Sequence, residues 1–370
     1  MYREKAHIAY LDTIRGLAAL TVVSEHFVIA YGLPCEGDLC RRLLDYSPLH
    51  IWWDGIAAVS MFFVLSGLVL SLKYFRTGTE PAVAEFALLG YTVNRMLRIW
   101  LPYCAVLAIS ACLYGVTVST PPLSTALPAS EWITQMWRSH PLSVTDMLRE
   151  AFLLYLPPLI VLIPQSWTLT IELVLSLLLP VGLLLAQRGT GWLLFFGLVA
   201  VALLGVSIFL VHFLFGLLLA KYYRTVVAIL TGRRWLRLLI LIIGLFFYTA
   251  ADSLYRVLND TGLWLVSGLG ATMMLMFVLG SAHAQTVLSL PGLRHIGKVS
   301  YSIYLLHMAV LMCLTPYLLQ ILEQLTSNRF GLWLGGWLAT IVLSLLLSLC
   351  SYQWLELPCM AMGKRLNKCR

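Results

Sequence analysis

The chain has 370 residues, of which 60% are apolar and 11% charged, with a formal net charge of +8 and a mean hydropathy of +0.86. A soluble domain is about half apolar and about a quarter charged, so this composition excludes an ordinary water-soluble fold. Its apolar runs are long enough to cross a bilayer, and its basic residues lie in the short segments between them, which argues for a topology bias and against nucleic-acid binding.

The N-terminus, Met1-Tyr2-Arg3-Glu4-Lys5, has the basic start of a signal peptide. The run that follows carries Asp12, Arg15, Glu25 and His26 and has no small-residue cleavage site, so it reads as a retained first span. In chain order the expected spans are 8–31, 51–74, 97–118, 166–187, 190–206, 207–223, 235–251, 262–283, 299–320 and 332–354. The stretch 190–223 holds two short spans if it turns near Gly205–Ser207, and 151–163, interrupted by Pro157 and Pro158, reads as a re-entrant or interfacial piece. The expected fold is an all-α polytopic membrane protein, a single domain over 1–370 with about ten helices.

Charge supports that arrangement. With the N-terminus inside, eighteen Lys and Arg residues fall in inner segments, and six (Arg41, Arg42, Arg138, Arg149, Arg256, Arg329) fall in outer ones. Arg15 lies within the first span. The bias obeys the positive-inside rule with both termini cytoplasmic, whereas a full span at 151–163 would put the basic C-terminus outside. Cys104, Cys112, Cys313 and Cys350 lie in apolar runs as small core residues, and Cys35 and Cys40 share an outer loop where a local disulfide is open. Metal-type spacing of cysteines is absent.

A charged side chain inside a span costs at least ~2.5–3.5 kcal/mol, so it tends to face the bundle interior. Arg15 and His26 are eleven residues apart, about 16 Å along a helix and on one face, with Asp12 one turn before Arg15. A buried ion pair and a core histidine explain these residues as well as a catalytic line does. Glu25 projects about 100° from His26 and reads as structural. "NRMLRIWLPY" puts Arg95 and Arg98 one turn apart, suited to phosphate or to setting topology. "SWTLTIEL" carries Glu172 about 9 Å into the fourth span. It is an acid, a base or an arginine's partner. "GKVSYSIYLLH" sets Ser300, Tyr304 and His307 on one face beside Tyr301, as a polar seam or a site. Ser66–Gly67 in "FFVLSG" reads as small-residue packing, since a serine nucleophile needs a strand-to-helix elbow. His7, His50, His140, His212, His283 and His295 have no assignable partner in the sequence.

Together, "YLDTIRGLAALTVVSEHF", "MFFVLSG", "NRMLRIWLPY", "SWTLTIEL", "GKVSYSIYLLH" and the terminal "WLELP" resemble the acyltransferase 3 family of integral-membrane O-acyltransferases, in the family's order and over nearly the whole chain. The resemblance is to the family's stand-alone form, and no fused hydrolase-like domain is expected. The resemblance implies ten spans around a polar central cavity in a bacterial inner membrane. It also implies an acyl-CoA donor entering from the cytosol, with acetyl-CoA the default, and a glycan or glycolipid acceptor. Carried over, His26 is the catalytic residue and Arg15 its companion, which also contacts the donor. Arg95 and Arg98 form the donor-binding Arg-x-x-Arg motif, and Glu172 is the conserved acid. Asp12, Ser300, Tyr301, Tyr304 and His307 are supporting polar residues. Thr168 and Thr170 depart from the serines or small residues expected in their box. No metal and no nucleic acid are expected. The competing reading is a transporter or exporter using an intramembrane proton relay, against which stands the lack of an inverted repeat.

Overall fold

The computed structural model describes residues 2–35, 37–44, 47–75, 87–117, 124–137, 142–153, 162–204, 207–249, 254 and 257–368. Among them every regular element is helical. In order these are α1 (Tyr2–Tyr31), α2 (Asp38–Leu44), α3 (Gly55–Leu72), α4 (Leu88–Arg95), α5 (Leu101–Thr117), α6 (Glu131–Gln135) and α7 (Val144–Ala151). There follow α8 (Trp167–Leu177), α9 (Leu179–Arg188), α10 (Thr190–Leu204), α11 (Phe209–Lys221), α12 (Tyr223–Leu230) and α13 (Arg234–Tyr248). The chain continues through α14 (Asp260–Gly280), α15 (Ala282–Leu288), α16 (Pro291–Lys298), α17 (Ser300–Cys313), α18 (Thr315–Leu325), α19 (Arg329–Ser351) and α20 (Leu357–Lys368).

Five stretches among the described residues are long and apolar enough to span a membrane: Ala9–Tyr31, Gly55–Phe75, Leu88–Tyr114, Asp260–Gly280 and Arg329–Leu366. Three bent pairs raise the number to as many as eight. They are Pro164–Leu177 with Leu179–Arg188 (48°), Phe209–Lys221 with Tyr223–Leu230 (71°), and Pro291–Lys298 with Ser300–Cys313 (68°). The first bend falls inside the expected 166–187, because hydropathy is blind to helix direction, whereas the other two coincide with expected span edges at 223 and 299. The expected 166–187 breaks at Leu178, where Pro180 opens α9, and the expected 299–320 ends its first helix at Cys313 before Pro316 opens α18. Pro157, Pro158, the Gly205–Val206 end of the expected turn, Arg76, Arg138, His140, Arg256 and Arg370 lie outside the described residues, as do the side chains of Arg3, Lys5, His7, Arg41 and Lys368. Cys35 and Cys40 are joined in a disulfide.

The chain forms two compact units: residues 1–18, 42–92 and 171–298, and residues 19–41, 93–170 and 299–370. The first is built on close backbone approach. A methyl group added at Gly67 would lie 2.0 Å from the carbonyl oxygen of Phe213, and one at Gly216 would lie 2.0 Å from that of Val64. The Ser66–Gly67 pair therefore marks the α3–α11 crossing. Small residues let helices touch where lipid supplies no hydrophobic drive between them.

The second unit is tied by polar and aromatic contacts. Thr315 meets Thr340 at 2.9 Å, and Ser302 donates to Glu356 at 2.8 Å. Phe27, Tyr31, Leu127, Ile133 and Trp333 share a core. α1 ends there at Gly32, whose φ of +74° and bond to Val28 make a left-handed cap, with Pro34 just beyond. Two π-turns, Met96–Trp100 and Tyr352–Glu356, belong to this unit. Each is followed two residues on by a proline, Pro102 or Pro358. A proline lacks the N–H due to the carbonyl four residues back and crowds it, so the ladder slips by one residue there.

Gly67→Ala or Gly216→Ala should destabilise the purified protein by about 1–3 kcal/mol or prevent its insertion, because backbone atoms cannot rotate out of the way. Thermal unfolding in detergent tests this. An unchanged transition for both variants would contradict the crossing.

Candidate active site

The second unit holds a continuous polar network built on α17. The helix carries apolar residues on most of its surface, and one strip of it is polar because Tyr304 and His307 recur one turn apart. His307 is 1% exposed. Its Nδ1 donates to the Tyr304 carbonyl oxygen at 2.8 Å, with the Ile303 carbonyl at 3.2 Å. Its Nε2 lies 2.9 Å from His26 Nδ1 on α1, and the two rings are inclined by 18° with centroids 5.0 Å apart. That geometry is an in-plane hydrogen bond between imidazoles.

The network extends to the start of α8. Gln165 Nε2 donates to the carbonyl oxygens of Tyr304 at 2.9 Å and Leu305 at 3.2 Å. The Tyr304 hydroxyl donates to the Gln165 carbonyl at 3.1 Å and meets Thr168 Oγ1 at 2.5 Å. Thr168, a departure from the small residue expected there, thus contributes a hydroxyl to the network. Gln165 was missed in the sequence, although it directly precedes the "SWTLTIEL" box.

A second side chain on His26 is Trp132 of α6, whose ring is parallel to the imidazole within 5° at a centroid distance of 5.6 Å. It too was missed, because it lies in a segment with no helical periodicity to mark it. The segment is pinned on both sides. Ser130 N–H donates to the Ala30 carbonyl at 2.7 Å, and Leu127 is fully buried. Glu323 Oε1 accepts from Thr125 N–H at 3.1 Å, Thr125 Oγ1 at 2.6 Å and Ala126 N–H at 2.8 Å.

The remaining sequence candidates fall into two groups. In the second unit, Arg95 is buried at the end of α4 and Arg98 is exposed within the first π-turn. Tyr301 donates to the Ile99 carbonyl in that turn at 2.5 Å, and Glu356 interacts electrostatically with Arg98. Ser300 is buried at the start of α17. In the first unit, Arg15 pairs with Asp12 at 3.3 Å, beside Gly16 and Gly297, where an added methyl would meet backbone at 2.7 and 2.5 Å. Glu172 is half-buried and accepts from Ser66 Oγ at 3.2 Å. The serine set aside as a nucleophile is the acid's hydrogen-bond partner. Among the described residues no group of three or more His, Cys, Asp or Glu side chains is arranged to hold a metal ion.

An imidazole hydrogen-bonded to a second imidazole, in a helical protein with membrane-length spans, is suited to proton transfer to and from a bound substrate. A family model described as an acyltransferase domain matches residues 8–352, nearly the whole chain, and the protein belongs to that acyltransferase 3 family. It is a multi-pass membrane acyltransferase that transfers groups other than aminoacyl groups, which answers the choice between enzyme and transporter in favour of the enzyme. No curated protein and no solved structure matches it.

The Glu323 clamp has a pH dependence of known sign. The Thr125 hydroxyl, and after it the Ala126 N–H, hold the Glu323 carboxyl below its usual range. A carboxylate with a lowered folded-state pKa contributes stability above its unfolded pKa, about 4.3, and loses it as pH falls through the lower folded value. The clamp should therefore hold at neutral pH and release only in acid. Hydrogen exchange of residues 124–137 should rise in Glu323→Ala at pH 7, and on acidification in the wild type. Equal protection in both proteins at pH 7 would show that the clamp is idle.

Proposed function

We propose that the protein is an inner-membrane O-acyltransferase that moves an acyl group, acetyl by default, from cytosolic acyl-CoA to a hydroxyl of a surface or exported glycan. The observation that carries this reading is the His26–His307 hydrogen bond within a chain of the acyltransferase family. The family match runs across both compact units, which supports treating them as one functional domain. The reading includes about ten spans, with the shorter helices α10 and α13 crossing as well, and both termini in the cytosol.

The chemistry follows from the residues. His26 takes the proton of the acceptor hydroxyl as its oxygen attacks the thioester carbonyl carbon. The tetrahedral intermediate collapses with cleavage of the C–S bond, and the histidinium returns the proton to the departing thiolate. The products are the ester and free CoA. A positioned base of this kind contributes roughly 10²–10⁴-fold. A relay through an acyl-His26 gives the same products in two steps. Arg95 and Arg98 hold the donor's phosphates, for which planar guanidinium groups are suited, with Arg15 as a further donor contact. Glu172, which accepts a hydrogen bond from Ser66, is the acid of the site.

His26→Ala should abolish acceptor-dependent release of CoA thiol from acetyl-CoA, measured against a panel of bacterial glycans, while the folded protein still binds CoA. Loss of turnover without loss of donor binding marks a group used in the transition state. Substantial turnover by a folded His26→Ala sample would remove His26 from the mechanism. Arg95→Ala and Arg98→Ala should raise KM for acetyl-CoA by roughly 10- to 100-fold, as loss of a hydrogen bond to a charged group does. Lysine should restore only part of it. Unchanged KM in both alanine variants would overturn the phosphate assignment.

A further inference from the structure

The hydrogen bonds around His307 determine more than its own position. A backbone carbonyl oxygen can only accept, so His307 Nδ1, 2.8 Å from the Tyr304 oxygen, must carry a proton. The Gln165 amide also donates to that oxygen, at 2.9 Å. In a neutral ring the second nitrogen then has no proton, so His307 Nε2 is an acceptor. Its partner at 2.9 Å is His26 Nδ1, which must therefore be the donor. That leaves the lone pair of His26 on Nε2. We infer that His307 is a positioning residue that fixes the tautomer of His26, so that Nε2 is the nitrogen that takes the acceptor's proton, or the acyl group if a relay operates.

The inference rests on the reading of His26 as the base and adds which atom acts and what selects it. In water an isolated neutral histidine favours the opposite tautomer, protonated on Nε2. That tautomer would present an N–H to the acceptor hydroxyl and leave no base toward it. The arrangement reproduces the logic by which a buried acceptor orients the histidine of a catalytic triad, with an imidazole nitrogen in place of a carboxylate. Tyr304, Gln165 and Thr168 form the layer behind it: Gln165 and the Tyr304–Thr168 hydroxyl pair keep the Tyr304 carbonyl aimed at His307 Nδ1. Trp132, parallel to the His26 ring, limits its rotation from the other side.

The test is ¹⁵N NMR of histidine-labelled protein in bilayers, with signals assigned by difference from His26→Ala and His307→Leu. In the wild type both His26 and His307 should show a protonated Nδ1 and an unprotonated Nε2. In His307→Leu the His26 signals should move to the Nε2-protonated pattern. Turnover of acetyl-CoA should fall by roughly 10²-fold or more with little change in KM for the donor, because the base is misdirected and not removed from the binding site. His307→Gln, whose side-chain oxygen can accept from His26 Nδ1, should recover much of that loss, which a purely structural role would not require. A wild-type His26 protonated on Nε2, or a folded His307→Leu with wild-type turnover, would overturn the inference. If His26→Ala itself retains turnover, the failure lies in the reading of His26 as base. If His26→Ala is inactive while the spectra show an Nε2 proton, only the tautomer assignment fails.

Discussion

Hydrocarbon offers no water to a buried polar atom, so each polar group on a membrane helix must find its partner within the protein or cost several kcal/mol. This constraint shapes the site. His26 Nδ1 is satisfied by His307, His307 Nδ1 by the Tyr304 carbonyl, and the Tyr304 hydroxyl by Gln165 and Thr168. Satisfying each group restricts its neighbour in turn, so the demand for partners also orients the imidazoles. An apolar pair at the same positions would pack as well, but it would neither specify a ring orientation nor supply a base.

The same constraint explains how the surrounding helices are held. Where side chains are apolar, cohesion comes from close contact, and Gly67 and Gly216 allow α3 and α11 to approach until backbone meets backbone. Where the backbone ladder is broken by Pro102 and Pro358, the π-turns release carbonyls that other groups must satisfy, and Tyr301 donates to Ile99 in the first of them. That turn also carries Arg98. A helix irregularity caused by one proline thus lies at the donor-binding motif of the proposed site, where a regular helix would present the arginine at a different angle.

Local sequence carried a good deal of this. The Asp12–Arg15 pair is an i, i+3 contact, and the facing of Tyr304 and His307 is a matter of helical period, so both were legible from spacing. The Ser66–Gly67 pair was legible as a packing site because only glycine allows such an approach. What escaped depends on contacts distant in sequence. Ser66 and Glu172 are 106 positions apart, His26 and His307 281 apart, and nothing local pairs them. Trp132 and Glu323 act through a segment without regular periodicity. The span count differs from the run of apolar segments because α10 and α13, at 15 residues each, fall short of the roughly 17–25 residues of a full crossing, a shortfall that hydropathy alone does not show.

The central claim is that a thioester's acyl group is handed to a hydroxyl within this membrane protein. Its most direct test is to incubate the purified protein in lipid nanodiscs with acetyl-labelled acetyl-CoA and a panel of bacterial surface glycans, following label and thiol together. The account predicts an alkali-labile acetyl ester on at least one glycan, with one CoA thiol released for each ester formed and none in excess of the protein-free rate when glycan is omitted. Thiol release that ignores the glycan, or label that never enters an ester with any member of the panel, would contradict it.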